Sequence, residues 1–184
     1  MLDLSVMREL LVGEIIGSTG AEHGRCFAQL KEDAPGSKLK TVKILDVSHD
    51  SVLIKLDKFE QPRTLLQDGL GQRQRCDYVL LTVWQDKPLM VFVEMKSRTA
   101  KDAQIQRQFK GAECIMDYCN SVLKRFHGQA DFMDCFQKRF IIFYKPGISK
   151  RRTRPSYPPK SDTPERAYKY ANPFNPSLGS LVSL

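Results

Sequence analysis

The chain has little of what secreted and membrane proteins carry. Its 184 residues contain no run of some eighteen apolar positions, and the N-terminus lacks a basic stretch followed by an apolar run and a small-residue cleavage site. The five cysteines are odd in number and unevenly spaced, which does not predict a disulfide framework. We therefore expect a cytoplasmic protein, in a reducing compartment, with neither a secretion signal nor a membrane span.

Motifs of several enzyme classes are also missing. The histidines at 23, 49 and 127 have no serine or cysteine partner in a recognisable context. The Gly-Leu-Gly triplet at residues 69–71 lacks the lysine and the helix of a phosphate-binding loop. We found no internal repeat. These absences set aside a triad hydrolase, a phosphate-loop nucleotidase and a repeat protein.

The charge balance is basic. Lysine and arginine number 29 against 21 aspartates and glutamates, and such an excess favours a polyanionic partner, with nucleic acid as the leading class. Two basic clusters could guide a phosphate backbone, although runs of charge are usually solvated surface. The candidate DNA-binding residues in these clusters are Arg73, Arg75, Lys150, Arg151, Arg152 and Arg154.

Apolar periodicity predicts the secondary structure. Helical spacing from Leu4 to Ile15 predicts an amphipathic helix, which Gly17 and Gly20 would cap, and a longer periodic stretch predicts a second helix over 102–127. The region 17–40 reads mostly as loop, with a possible short strand at 25–30. Short β-branched and aromatic runs predict strands at 42–47, 51–56, 76–84, 89–96 and 139–144.

This pattern divides the chain into three parts around one core. Residues 1–40 form an N-terminal helix and loop, and residues 41–145 form the core, a mixed α/β sheet. Residues 146–184 contain most of the proline and begin with a basic run, so we expect an extended or partly disordered tail. Its tyrosines and Phe174 could dock on a protein partner.

Three residues in the core carry the chemistry. Asp77 lies at the start of one predicted strand, and Glu94 and Lys96 lie on one face of the next, near its end. If the two strands pair as an antiparallel hairpin, the three side chains converge. Two adjacent carboxylates repel each other, so such a cluster normally binds a hard divalent cation. Mg²⁺, or Mn²⁺ as a substitute, suits Asp77, Glu94 and the backbone carbonyl of Met95, and Lys96 could activate a water for phosphodiester hydrolysis.

The pattern CDYVLLTVWQDKPLMVFVEMKS resembles the PD-(D/E)xK nuclease superfamily. In that superfamily an aspartate opens one core strand and an E-x-K triplet lies on the next, followed by a helix and a further strand. The resemblance covers roughly residues 43–144, with Cys76 where the motif has proline. It implies a restriction-endonuclease-like core, in which helices flank a mixed central β-sheet.

The resemblance implies further site residues. Superfamily members commonly add an acidic residue from a preceding helix, which here would be Glu14 or, second, Glu9. Many relatives also place a glutamine on the helix after the triplet, where it contacts a phosphate or a metal-bound water. Gln108 is preferred, with Gln104 on the same face, because Gln106 lies nearer the packed edge of the helix.

These observations predict a Mg²⁺-dependent nuclease that hydrolyses DNA as an endonuclease or an exonuclease, with RNA as a lesser substrate. Repair, recombination and antiviral defence are the roles that the resemblance offers, and a homodimer would suit cleavage of both strands of a duplex. The alternative is a catalytically inactive module that keeps the nuclease fold and binds a protein partner or nucleic acid.

Overall fold

The computed structural model describes residues 3–59, 67, 69–97, 101–130, 132–145 and 160–182. Within these ranges none of the helices is both long and apolar enough to cross a membrane. The elements in chain order are α1 (Ser5–Leu10), β1 (Ser18–Glu22), β2 (Arg25–Lys31), β3 (Thr41–Leu45), β4 (Val52–Lys55), β5 (Tyr78–Trp84), β6 (Lys87–Lys96), α2 (Asp102–Phe126), β7 (Gln137–Tyr144) and β8 (Tyr168–Ala171).

The central sheet has five strands in the order β4-β5-β6-β7-β8. The pairs β4–β5 and β5–β6 are antiparallel, whereas β6–β7 and β7–β8 are parallel. Parallel neighbours require a long crossover connection, which α2 provides between β6 and β7. The predicted mixed α/β sheet is therefore confirmed, as is the hairpin that joins β5 to β6.

The two faces of this sheet are covered differently. Helices α1 and α2 pack on one face around Phe92, Phe109 and Phe140. An antiparallel sheet of order β1-β2-β3 packs on the other face, because Ala28 and Leu30 of β2 and their counterparts in β3 form one apolar side. The expectation of flanking helices therefore holds on one face only, and the second face carries a small sheet.

The long helix agrees with its predicted range. Its buried side chains recur at spacings of three and four residues, which turns one apolar stripe towards the sheet. The predicted range of 102–127 ends one residue beyond the observed helix. The buried positions are Ile105, Phe109, Gly111, Ala112, Ile115, Met116, Cys119 and Leu123.

The N-terminal region differs from its prediction. Helix α1 stops at Leu10 because Leu11 is extended, and a separate 3-10 turn follows at Gly13–Ile15. Gly17 and Gly20 do not cap a helix, because the Gly17 N–H donates to the carbonyl oxygen of Leu53 in β4 at 2.7 Å and Gly20 lies within β1. In the region 17–40, the short strand predicted at 25–30 is confirmed as β2, whereas β1 was not predicted because its residues are small and largely exposed.

The C-terminal part is not an extended tail within its described range of 160–182. Strand β8 joins the central sheet as the parallel neighbour of β7. Beyond it, Leu178, Leu181 and Val182 are buried in the core between the two sheets. For residues 160–182 the prediction of an extended or partly disordered tail was wrong, because it rested on the many prolines and gave too little weight to apolar residues that pack against distant parts of the chain. Residues 146–159 of the predicted tail lie outside the described residues.

Candidate active site

The hairpin places the two acidic residues opposite each other. Tyr78 pairs with Val93 across β5 and β6, so Asp77, one residue before, stands opposite Glu94, one residue after. The backbone N–H of Met95 donates a hydrogen bond to Asp77 Oδ2 at 2.6 Å. This bond fixes the Asp77 carboxylate at the end of β6, beside Glu94.

Glu94 is a buried carboxyl group, and Lys96 is its close counter-charge. Its side chain is fully enclosed, and the ammonium of Lys96 forms an ion pair with Glu94 Oε1. The side-chain amide of Gln108 and the backbone N–H of Asp77 also lie close to this carboxylate. The Lys96 side chain is 23% exposed, so it lies between the buried carboxylate and solvent.

The surroundings of Asp77 and Glu94 disfavour the ionised forms of both carboxyl groups. Burial raises the pKa of Asp77 well above its usual range, and the charge of Glu94 raises it further, against the Met95 N–H and Lys96. Burial also raises the pKa of Glu94, while Lys96 and the nearby Gln108 amide lower it. A cation close to both carboxylates would favour their ionised forms.

The donor set suits a hard divalent cation. Mg²⁺ is commonly bound by one or two carboxylates and keeps several waters, and Asp77 and Glu94 offer such oxygens on adjacent strands. The structure does not supply the expected third carboxylate: Glu9 and Glu14 are exposed, and no three acidic, histidine or cysteine residues of the described ranges are grouped to hold a metal. The reason is that α1 ends early, so Glu14 lies on a separate turn.

Of the three candidate glutamines, Gln108 lies beside the carboxylates. Its Nε2 donates to the backbone oxygen of Arg75 at 3.3 Å, and its Oε1 is buried without a hydrogen-bond partner among the described residues. Gln104 lines the same pocket as Gln108. Gln106 lines a different pocket, with Asp102 and Lys169. The catalytic role of Gln108 stays a prediction.

The segment 71–76, which leads into β5, forms one side of the site. Arg75 donates from Nε to the carbonyl oxygen of Leu56 at 2.6 Å and from Nη2 to that of Asp57 at 3.0 Å. Arg75 therefore ties this segment to the turn after β4. Arg73 lines the pocket that also holds Gln108.

Two residues of α2 that the sequence did not single out support this segment. A Cβ on Gly111 would lie 1.7 Å from the backbone oxygen of Gln74, so the absence of a side chain lets the segment pass directly over the helix. The Cδ atom of Arg107 lies 3.0 Å from the position that a Cβ on Gly71 would occupy. No sequence motif signals either contact, because both depend on tertiary packing.

The β2–β3 connection forms the other side of the site. The Ser97 hydroxyl, next to Lys96, lies 2.8 Å from that of Ser37 and accepts from the backbone N–H of Lys38 at 3.1 Å. Glu32, at the start of this connection, is near enough to raise the pKa of Asp77. Residues 32–40 and residues 71–76 therefore both approach the site.

Four predicted DNA-binding residues, Lys150, Arg151, Arg152 and Arg154, lie outside the described residues. Comparison of the chain with protein-family models, curated proteins and solved structures gives no match. Within the described residues, the fold defines a mixed α/β protein with two sheets and one long helix.

Proposed function

We propose that the chain is a Mg²⁺-dependent nuclease that hydrolyses DNA, with a restriction-endonuclease-like core. The observation that carries this proposal is the meeting of Asp77, Glu94 and Lys96 at the end of the β5–β6 hairpin. The order of hairpin, long helix and parallel strand supports it as well. A buried, mutually perturbed carboxylate pair is more typical of a functional site than of a structural one.

Each side chain has a defined task in this proposal. Asp77 and Glu94 would hold the divalent cation, which supplies Lewis-acid activation of the phosphate and an acidified water. The ammonium of Lys96, at the surface side of Glu94, orients the attacking water and stabilises the negative charge that grows on the phosphate. The amide of Gln108 positions the same water or a phosphate oxygen. Repair, recombination and antiviral defence remain the proposed settings.

One observation favours a second candidate, a catalytically inactive module that binds a protein partner or nucleic acid. Only two carboxylates come together within the described residues, and Lys96 already neutralises one of them. Such an ion pair could be a structural remnant of a catalytic site. In that case the basic surface would bind nucleic acid without cleaving it.

Cleavage assays separate the two candidates. Supercoiled, linear, single-stranded and branched DNA are incubated with Mg²⁺ or Mn²⁺, and with EDTA as a control. The native chain is compared with Glu94→Gln and Lys96→Met, and with Lys87→Met at the opposite end of β6 as the matched control. We expect metal-dependent cleavage that falls about a hundredfold or more in the first two variants and is unchanged in the third.

Cleavage that persists in Glu94→Gln, or in EDTA, would contradict the proposed nuclease. An absence of cleavage on every substrate, together with salt-sensitive DNA binding, would favour the inactive module. Titration of the native chain with the four substrates would also identify the preferred DNA structure.

A further inference from the structure

A polar pocket of about 280 Å³ opens to solvent beside the candidate active site. We call it the arginine pocket, and it is lined by Asp57, Arg73, Gln74, Arg75, Gln104 and Gln108. We propose that the arginine pocket binds a backbone phosphate of a nucleic-acid strand, next to the phosphate that reaches Asp77 and Glu94. This inference rests on the proposed nuclease function and names a substrate contact outside the catalytic residues.

The charge of the arginine pocket suits a phosphate. Two arginines and one aspartate line the pocket, and Arg107 lies against the same segment at Gly71. The guanidinium group offers paired N–H donors whose spacing matches phosphate oxygens. The volume admits several water molecules of about 30 Å³ each, which is enough for a phosphate with part of its hydration shell.

The arginine pocket is also held in shape before a ligand arrives. Arg75 is bound to the carbonyl oxygens of Leu56 and Asp57, so it acts as a positioning residue that fixes the segment carrying Arg73. The close approach at Gly111 holds the same segment against α2. A site that needs little rearrangement loses less free energy on binding.

Two buried acceptors show that the arginine pocket is not closed by its own hydrogen bonds. Gln74 Oε1 and Gln108 Oε1 have no hydrogen-bond partner among the described residues. Buried acceptors of this kind usually accept a hydrogen bond from ordered water or from a donor group of a ligand. Waters bridging a phosphate to the amides would satisfy them.

Gln108 connects the arginine pocket to the catalytic residues. Its side chain lines the pocket, and the same amide is close to the Glu94 carboxylate. A strand whose scissile phosphate lies at Asp77 and Glu94 would therefore cross the N-terminal half of α2 and present a neighbouring phosphate to Arg73. The contact is to the backbone, so it carries no sequence preference.

Binding without cleavage tests this inference. Fluorescence anisotropy of labelled single-stranded oligonucleotides of two unrelated sequences is measured in EDTA over a salt series. The native chain is compared with Arg73→Gln, Arg73→Lys and Gln104→Ala, and with Lys124→Gln, which is exposed at the far end of the same helix. Thermal melting of each variant checks its fold.

We expect Arg73→Gln to weaken binding about tenfold for both sequences and to reduce the slope of log K against log salt by about one. Arg73→Lys should keep the slope and lose part of the affinity, because a lysine is a point charge without the paired donors. Gln104→Ala should weaken binding with an unchanged slope. Lys124→Gln lies outside the arginine pocket and should bind both sequences like the native chain.

Several outcomes would overturn the inference. They are an unchanged slope in a folded Arg73→Gln variant, a loss of affinity confined to one sequence, full competition by a mononucleotide at equal phosphate concentration, and no binding by the native chain. Failure of the nuclease proposal looks different: the slope falls with Arg73→Gln, yet no substrate is cut with Mg²⁺ or Mn²⁺.

Discussion

The carboxylate pair Asp77 and Glu94 combines two unfavourable features for a folded protein. Burial raises the pKa of both groups, and the charge of Glu94 raises the pKa of Asp77 further. The ammonium group of Lys96 partly stabilises the negative charge of Glu94, and the hydrogen bond from the Met95 N–H partly stabilises that of Asp77. Proteins commonly retain such locally destabilising clusters where binding or catalysis requires them.

This reasoning predicts that Asp77→Asn stabilises the chain when no divalent metal is present. The amide keeps an oxygen for the Met95 N–H and removes the repulsion with Glu94, so the melting temperature in EDTA at neutral pH should rise by a few degrees. Mg²⁺ or Mn²⁺ should raise the melting temperature of the native chain but not that of the variant, because a ligand stabilises only the state that binds it. Differential scanning fluorimetry measures both effects.

The matched control is Asp117→Asn, an exposed carboxylate on α2. It should leave both the EDTA and the metal melting temperatures unchanged. A lower melting temperature of Asp77→Asn in EDTA, or an equal response of native chain and variant to metal, would contradict the prediction.

Tyr78 gives a second prediction, which concerns alkaline pH. Its hydroxyl donates to the carbonyl oxygen of Lys31 at 2.6 Å and accepts from the N–H of Lys31 at 2.9 Å, which joins the two sheets. Tyr78→Phe leaves both backbone groups without this partner and should lower the free energy of unfolding by about 1–3 kcal/mol near pH 8. Urea unfolding measures the difference.

The pH dependence follows from the pKa of Tyr78, which burial raises from 10.0 to about 12. As the pH rises from 10.0 to about 12, Tyr78 loses its proton in the unfolded state before it does so in the folded state. The free energy of unfolding of the unsubstituted protein therefore falls over this pH range, whereas Tyr78→Phe has no such contribution. The difference between the two should therefore shrink above pH 10. A constant difference from pH 8 to 11 would contradict the assignment, and Tyr118→Phe, at an exposed tyrosine, is the matched control for the loss of a hydroxyl group.

At the scale of elements, the strands of the central hairpin and α2 were predictable because their patterns are local. Residues 89–96 alternate between two buried faces, and α2 repeats its apolar positions every three or four residues. The approach of Asp77 to Glu94 followed from the hairpin alone. By contrast, β1 and β8 have short, weak patterns, and pairing with a neighbour rather than sequence preference makes them strands.

Gly111 provides a prediction in which helix propensity and packing oppose each other. In an exposed helix, glycine to alanine stabilises by about 1 kcal/mol. Here the new Cβ would lie 1.7 Å from the Gln74 backbone oxygen, so the segment 71–76 must move. We expect Gly111→Ala to lower the free energy of unfolding by about 1–3 kcal/mol, the usual cost of overpacking. It should also weaken DNA binding in EDTA, because Arg73 moves with the segment.

Ser121→Ala, at an exposed position of the same helix, is the control and should be neutral or slightly stabilising. Urea denaturation gives the stabilities, and anisotropy gives the binding. A Gly111→Ala variant as stable as Ser121→Ala would show that the segment does not press on α2 as the structure describes.

At the scale of the whole molecule, the described residues form three layers: the helices, the central sheet and the small sheet. The C-terminal part packs between the two sheets. Leu178 and Leu181 fill the space between the two sheets, and Ser177 bridges to Leu45 of β3. Sequence reasoning could not anticipate this role, since the distance along the chain between these partners exceeds any local pattern.

The C-terminal segment therefore belongs to the folding unit, and truncating one of its leucines should show this. Leu178 is fully buried, and Leu178→Ala should lower the free energy of unfolding by about 2–5 kcal/mol through lost burial and a residual cavity. Phe174→Ala, four residues earlier and 89% exposed, is the matched control and should change stability by no more than about 0.5 kcal/mol. Denaturant unfolding compares them. Equal and small effects of the two substitutions would contradict this prediction. A large effect of Leu178→Ala alone would show that residues 160–182 are a structural part of the domain that carries the site.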